Sequence, residues 1–326
     1  MHRRVSGDEE RAGVPLTHLD QPLFDAAQAT KRDLVDYLDA VADAFVGQLR
    51  DRPLSVIRVR AGQPPFMQKN LPGYTPSWVA SISLWAESSR REVTYALCND
   101  RRTLLWLANQ RAVEYHPTLA RAGNLEHPDF LVLDIDPPSD AAFGQAVQAA
   151  RCVREALASA GLIGAVKTSG AKGLHVFVPL QAEVDHADAA AATRAIAARA
   201  EHIDPELATT AFIREDRAGK VFLDATRAGG ATVVAVYSPR VRPGTPVSFP
   251  LAWDELASVR PADFTVQTAA GLLGGADRWA AQLPPPQSLP ADLVAEGHEI
   301  PLARAQAMHE GKRRARARRD SAQKPD

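Results

Sequence analysis

The sequence predicts an α/β fold of the α+β type, on three observations. From residue 129 onward the pattern runs strand, helix, strand, strand, helix, strand, the order of the split βαβ unit of ferredoxin-like and RNA-recognition folds. Ahead of it, short runs of period-two alternation interleave with helical stretches, which marks an N-terminal α/β module beside the first. The apolar strand candidates are short and bounded by Pro or Gly, whereas the longest periodic segments are Ala-rich and helical.

Residues 1–15 carry no periodic pattern and are expected to form a loose arm. Thr30 and Asp33 have capping-box character, and Leu34, Tyr37, Leu38, Val41 and Phe45 follow at helical spacing. Residues 53–60 alternate as a strand, which Gly62-Gln63-Pro64-Pro65 should break. Strands are expected over 81–85 and 92–97, then a helix over 102–110, ahead of Glu114-Tyr115-His116-Pro117. Residues 129–136 form an apolar run ended by Pro137 and Pro138, a buried strand stopped by a turn. Helices follow over 140–160 and 185–203, with strands over 164–167, 175–180, 220–224 and 232–237. Beyond Pro284-Pro285-Pro286 the chain turns polar and ends in a run, 312–319, with six cations in eight positions. The expected organisation is an arm at 1–15, a catalytic domain at 16–290 and a basic tail at 291–326. The domain would comprise two intimate modules, roughly 16–125 and 126–290.

Composition excludes several classes. At 326 residues, 45% hydrophobic and 24% charged, the chain has the make-up of a soluble globular protein with ample core. No apolar run is long enough to span a membrane, and Arg3-Arg4 is followed by no apolar stretch of a secretory signal. Two cysteines cannot build a disulfide framework, which fits a reducing, cytoplasmic setting. A net charge of −1 does not mark a nucleic-acid binder, but between Arg50 and Arg121 eleven Lys and Arg face five Asp and Glu. That surplus reads equally as a solvated face or as a phosphate-tracking surface.

Three short pieces carry the chemistry. In Asp134-Ile135-Asp136 the two carboxylates share a face of the strand and raise each other's pKa unless a cation intervenes. A divalent ion with oxygen ligands, Mg²⁺ or Mn²⁺, answers that need. A third carboxylate, Asp224, at the end of Lys220-Val221-Phe222-Leu223-Asp224, would complete a site for two ions of the kind that drives phosphoryl or nucleotidyl transfer. Read singly, Asp-x-Asp before a turn also fits a strand end whose carboxylates bond turn amides. The loop Ser169-Gly170-Ala171-Lys172-Gly173-Leu174-His175 can offer backbone N–H groups and cationic side chains to a polyphosphate, or be an ordinary Gly-rich hairpin. It lacks the Walker spacing.

In this order, the pieces resemble the polymerase domain of bacterial ligase D, a branch of the archaeo-eukaryotic primase superfamily. Further matching blocks are Phe66-Met67-Gln68-Lys69-Asn70, Tyr95-Ala96-Leu97-Cys98-Asn99-Asp100, and Tyr237-Ser238-Pro239-Arg240 ahead of Pro243-Gly244-Thr245-Pro246-Val247. The resemblance runs from about Leu16 to about Pro290 without a ligase or nuclease segment, so a stand-alone primase-polymerase is expected.

The resemblance implies a template-dependent nucleotidyltransferase extending a primer 3′-hydroxyl with ribo- or deoxyribonucleotides, in gap filling or break repair. Asp134, Asp136 and Asp224 would hold two Mn²⁺ or Mg²⁺ ions, one activating the 3′-hydroxyl and one steadying the triphosphate. Ser169, Lys172, His175, Arg240 and His116 would bind the NTP or dNTP, although His116 beside Pro117 also reads as a turn histidine capping a helix. Phe66 matches one of a pair of template-stacking aromatics, with Met67 in the other's place. Lys31 matches a lysine that grips a downstream 5′-phosphate, whereas Gln21 and His18 replace two of its partners. The grip could then shift to Arg58, Arg60 and Lys69. The implied partners are gapped or broken DNA with its template, a separate ATP-dependent ligase and an end-binding protein, in a nucleoid-associated cytoplasmic setting. Two competing readings are a non-catalytic DNA-end-binding protein of the same fold and a metal-dependent phosphohydrolase. Three desolvated acids without a metal would be costly for the first, and the triphosphate cluster would be idle in the second.

Overall fold

A short hairpin opens the computed structural model, which describes residues 9–302 except 61, 87–89, 182 and 229. Its strands are β1 (Glu9–Arg11) and β2 (Val14–Leu16), where the sequence predicts a loose arm. Arg11 pairs with Asp36 at 2.6 Å while Val14 and Leu16 are buried, so ion pairs and two apolar anchors order a segment too short to show periodicity. Helix α1 (Lys31–Ala40) starts at the predicted capping box, with Thr30 and Asp33 each bonding the other's backbone N–H. The single helix expected there is two, because Val41 leaves helical geometry before α2 (Ala42–Leu49).

The first sheet comprises β3 (Leu54–Arg60), β4 (Gln63–Gln68), β5 (Ser81–Ala86), β6 (Arg91–Ala96) and, after helix α3 (Arg101–Asn109), β7 (Ala112–Pro117). Here β3 pairs antiparallel with both β4 and β7. Strand β4 occupies the stretch expected to break. Pro64 and Pro65 are tolerated because β4 is an edge strand and its register shifts opposite Arg58 and Arg60. His116 lies in β7 rather than at a helix cap.

The second sheet carries the predicted split βαβ unit. Strand β8 (Phe130–Asp136) leads through a 3₁₀ turn at Asp140–Ala142 to α4 (Phe143–Ser159), then β9 (Ala165–Thr168), β10 (Leu174–Pro179), α5 (His186–Ile203), β11 (Ala208–Thr209) and β12 (Val221–Asp224). With β13 (Pro250–Leu251) the order is β11-β12-β8-β10-β9-β13, whose central strands all pair antiparallel. A Cβ built on Gly164 would meet Val176 at 2.8 Å and Leu157 of α4 at 3.1 Å, so Val176 faces the helix layer. Its cross-strand partner Leu133 shares that face, and alternation turns Asp134 and Asp136 to the other.

Two further expectations change. Residues 232–237 are not a strand: Val233 and Ala235 donate to Pro117 and Tyr115 carbonyls, but Tyr237 turns left-handed at φ 68° and ends the pairing. After α6 (Ala269–Leu273) and α7 (Arg278–Gln282), residues expected in the tail form α8 (Ala291–Glu299). It docks on α5 so closely that a Cβ at Gly297 would lie 1.9 Å from the Ala191 carbonyl oxygen. Backbone-to-backbone packing between small residues gives such a helix little apolar periodicity to announce it. The basic run 312–319 lies outside the described residues. Among those described, no helix is long and apolar enough to cross a membrane.

Candidate active site

Strand register builds the site. Asp134 on β8 stands opposite His175 on β10 and Asp224 on β12, and His175 stands opposite Lys167 on β9. Cross-strand partners share a face, so Lys167, His175, Asp134 and Asp224 form one row across four strands, with Asp136 two residues further along β8. His175 Nε2 lies 3.2 Å from Asp134 Oδ1, and Lys167 Nζ lies 2.9 Å from His175 Nδ1 and 2.6 Å from Ser248 Oγ. Arg227 Nε sits between two carboxylates, 3.4 Å from Asp134 Oδ2 and 3.3 Å from Asp224 Oδ2. The other Asp224 oxygen accepts from Thr226 N–H at 2.8 Å and from its hydroxyl at 2.6 Å.

The row is electrostatically divided. Burial works against the charge of Asp134, but His175 and Arg227 outweigh it and hold its pKa at about 2. Burial and the neighbouring Asp134 charge push Asp136 up to about 6. His175 is pushed down to about 4 by burial and by Lys167, so it meets Asp134 as a neutral N–H donor. Burial, then the Arg240 charge, drive Lys167 well below the ordinary lysine range.

The loop 169–175 is held by glycines that tolerate no side chain. A Cβ on Gly173 would lie 2.1 Å from the Ile135 carbonyl oxygen, and Gly170, at φ 68°, would bring one to 2.7 Å from Arg240. Ser169 Oγ accepts from the Ala171 and Gly173 N–H groups at 3.2 Å, and Lys172 Nζ donates to the Pro137 carbonyl at 2.5 Å. Lys172 is thereby tied to the turn that follows Asp136. Arg240 donates to the Ser169 carbonyl at 2.5 Å and faces Glu114 Oε2 at 3.1 Å. His116 Nε2 donates to the same Glu114 oxygen at 2.8 Å, while Oε1 accepts from Val241 N–H at 2.8 Å. Burial opposes the Glu114 charge, yet His116 and Arg240 hold its pKa at about 2. Beyond the loop tip a groove of about 970 Å³ opens, lined by Lys172, Arg151, Arg242 and Arg260. Asp134, Asp136 and Asp224 do not line it.

The basic candidates of the N-terminal half are differently placed. Lys31 is buried, its Nζ donating to the Thr17 carbonyl at 2.5 Å and to Asn109 Oδ1 at 2.6 Å. Burial and the nearby Arg111 push its pKa down to about 8. Arg58 is buried and donates to the Gln110 carbonyl, Gln68 and Tyr74. Arg60 and Lys69 are exposed. Half-buried Phe66 lies under two guanidiniums, 4.9 Å from Arg60 and 5.8 Å from Arg58.

Known proteins resemble this chain over most of its length. The family profile described as LigD, primase-polymerase domain, matches residues 30–279. The chain belongs to the LigD primase-polymerase family. It is 35% identical over 260 residues to the Bifunctional non-homologous end joining protein LigD of Bacillus subtilis, covering 78% of this chain and 41% of that protein. It is likewise 35% identical over 262 residues to the Multifunctional non-homologous end joining DNA repair protein LigD of Mycobacterium tuberculosis, covering 77% and 34%. The chain thus spans well under half of these relatives. Among solved structures, the polymerase domain of M. tuberculosis ligase D in complex with DNA aligns at a TM-score of 0.74 and 32% identity, covering 85% of this chain and all of that one.

The LigD polymerase family is metal-dependent and uses nucleotide substrates. Among the described residues of this member, no three His, Cys, Asp or Glu side chains close around one point. The donor set nevertheless fits a divalent ion. All three acids offer hard oxygens, Arg227 stands between two of them where a cation is needed, and Asp136 is raised by burial and by the Asp134 charge that an ion would offset. Three residues that contact the candidate acids, His175 or Arg240 are not apparent from sequence reasoning: Lys167, Arg227 and Glu114. Only Glu114 left a signal, two residues before His116 and so on the same face of its strand.

Proposed function

We propose that this chain is a template-dependent nucleotidyltransferase that adds ribo- or deoxyribonucleotides to a primer 3′-hydroxyl, filling gaps in non-homologous end joining. One observation carries the reading: Asp134, Asp224 and His175 are neighbours in a single register row, with Asp136 beside them and Ser169, Lys172 and Arg240 meeting at the adjoining loop. Carboxylates beside a cationic, glycine-lined turn suit a nucleoside triphosphate.

In this reading Asp134, Asp136 and Asp224 would hold two Mg²⁺ or Mn²⁺ ions, which when bound polarise the 3′-hydroxyl and neutralise charge on the triphosphate. The protein's own residues position the substrate. Arg240 presents a fixed fork for phosphate oxygens, held from behind by Glu114 and the Ser169 carbonyl. His116 shares that carboxylate, and Ser169, Lys172 and His175 complete the cluster. Phe66, Arg60 and Lys69 form the DNA face, where Phe66 offers a stacking surface indifferent to sequence. Lys31 and Arg58 would join it only by exchanging present partners for phosphate. The supporting setting is the cytoplasm at the nucleoid, with a separate ATP-dependent ligase and an end-binding protein acting on the same broken DNA.

A primed, gapped template with labelled NTP or dNTP and Mn²⁺ tests this. Template-directed lengthening of the primer is expected. Tight DNA binding without lengthening would favour a non-catalytic end-binding protein, and nucleotide hydrolysis without lengthening a phosphohydrolase.

A further inference from the structure

Lys167 is fully buried, yet no step of the proposed reaction uses it. A buried amine costs several kcal/mol of desolvation unless it is well partnered, and a methionine of similar length would fill the space without that cost. The partners explain its presence. Ser248 Oγ donates to the Thr168 carbonyl at 2.7 Å, so its lone pairs accept from Lys167 Nζ at 2.6 Å. The Phe177 ring lies 5.4 Å from the same nitrogen. The remaining contact is His175 Nδ1 at 2.9 Å. On the other side of the imidazole, an ionised Asp134 oxygen can only accept, so Nε2 carries a hydrogen, and with the Lys167 amine as donor Nδ1 is the acceptor. Every bond in the chain Thr168–Ser248–Lys167–His175–Asp134 therefore has one direction.

We propose that Lys167 is a positioning residue: its amine fixes the ring plane of His175 and its Nε2–H tautomer. The imidazole is then presented to the triphosphate as a hydrogen-bond donor even when Asp134 is engaged elsewhere. The inference rests on the nucleotidyltransferase reading for its purpose, but the tautomer itself does not. A ring nitrogen's hydrogen is set by what the other nitrogen bonds, and here that partner is an amine held from two sides.

The test reads ¹⁵N shifts of the His175 ring near pH 8, where a free imidazole is neutral. In wild type, Nδ1 should lie in the unprotonated range and Nε2 in the protonated range. Asp134→Asn removes the carboxylate's influence, and the same pattern should persist because Lys167 remains. Asp134→Asn/Lys167→Met should collapse it to the averaged shifts of exchanging tautomers. Lys167→Met alone should raise the nucleotide KM about tenfold while kcat changes much less. Ser248→Ala, which loosens the same amine, should shift KM in the same direction and serves if the methionine variant fails to fold. A wild-type ¹⁵N pattern in the double variant, or unchanged KM in both Lys167→Met and Ser248→Ala, would overturn the positioning role. A wild-type protein that adds no nucleotide would instead sink the proposed function and leave the tautomer result standing.

Discussion

The acids of the second sheet and the basic residues Lys31 and Arg58 of the N-terminal half hold charge in opposite ways. On the second sheet the ionisable groups are paired with one another across strands, and their pKa values are pushed apart: Asp134 to about 2, Asp136 to about 6 and His175 to about 4. In helix α1 and the first sheet, two cations that matched a DNA-gripping role are partnered by the protein itself, Lys31 by Thr17 and Asn109, Arg58 by Gln110, Gln68 and Tyr74. Interacting acids are poised for an incoming charge, whereas satisfied cations are part of the scaffold until a phosphate outbids their partners. The difference teaches that charge type alone does not separate a candidate site from a structural bond; whether a group is partnered by other ionisable groups or by neutral scaffold atoms does.

The harshest test of that contrast removes the acids. Asp134→Ala and Asp224→Ala should each cut nucleotide addition by more than about 100-fold, while gel-shift affinity for gapped DNA stays close to wild type. Extension at wild-type rates by either variant would break the assignment. Next comes Glu114→Gln, which keeps the shape but weakens the charge-assisted hydrogen bond to His116 and removes the ion pair with Arg240. Such bonds are worth about 1.5–3 kcal/mol, so the nucleotide KM should rise on the order of tenfold or more in steady-state kinetics.

A smaller effect concerns stability in chelator. The Asp136 carboxyl keeps its proton to about pH 6 in the fold, against an ordinary value of 3.8. Its contribution to stability is therefore fully present below pH 3.8 and is lost as pH rises through 6. At pH 7 in EDTA, Asp136→Asn should melt at a higher temperature than wild type, with the advantage gone near pH 4. Added Mn²⁺ should close the difference by raising the wild-type Tm. A variant less stable than wild type at pH 7 in chelator would contradict the repulsion among these acids.

The smallest effect belongs to Lys31 at the start of α1. A 5′-phosphorylated gap should bind tighter than an unphosphorylated one by no more than about threefold, because Lys31 must leave two good acceptors to reach it. The preference should shrink as salt rises. Equal affinity at low salt would show that Lys31 stays within the fold, and a much larger preference that its amine swings out freely.

The contrast also explains what the sequence could convey. The strands bearing Asp134, His175 and Asp224 were legible because each is an apolar run with a polar residue at a defined place, and because their blocks occur in the order of a known family. Lys167 was not, since a lysine at the end of a four-residue strand looks like any surface lysine until register sets it beside His175. Arg227 was hidden for the same reason, its partners lying on two different strands. The split βαβ order survived because it depends only on local period. Residues 232–237 misled because a run of valines has strand propensity, which the left-handed turn at Tyr237 overrides. The burial of Lys31 and Arg58 was not legible, because a long basic side chain leaves no trace of burial in its neighbours along the chain.

Pro64 and Pro65 carry a consequence for how this molecule behaves in a crowded solution. Strand β4 is the outermost strand of its sheet, with Met67 exposed beside half-buried Phe66. A flat rim bearing apolar side chains and a full set of N–H groups would invite a strand from another copy and seed aggregation. Two consecutive residues without an N–H deny that visitor its ladder, so an aromatic can be displayed at the rim without making the rim adhesive. Replacing both prolines with valine would leave the ring in place and turn the rim into a template for self-association, detectable as concentration-dependent light scattering.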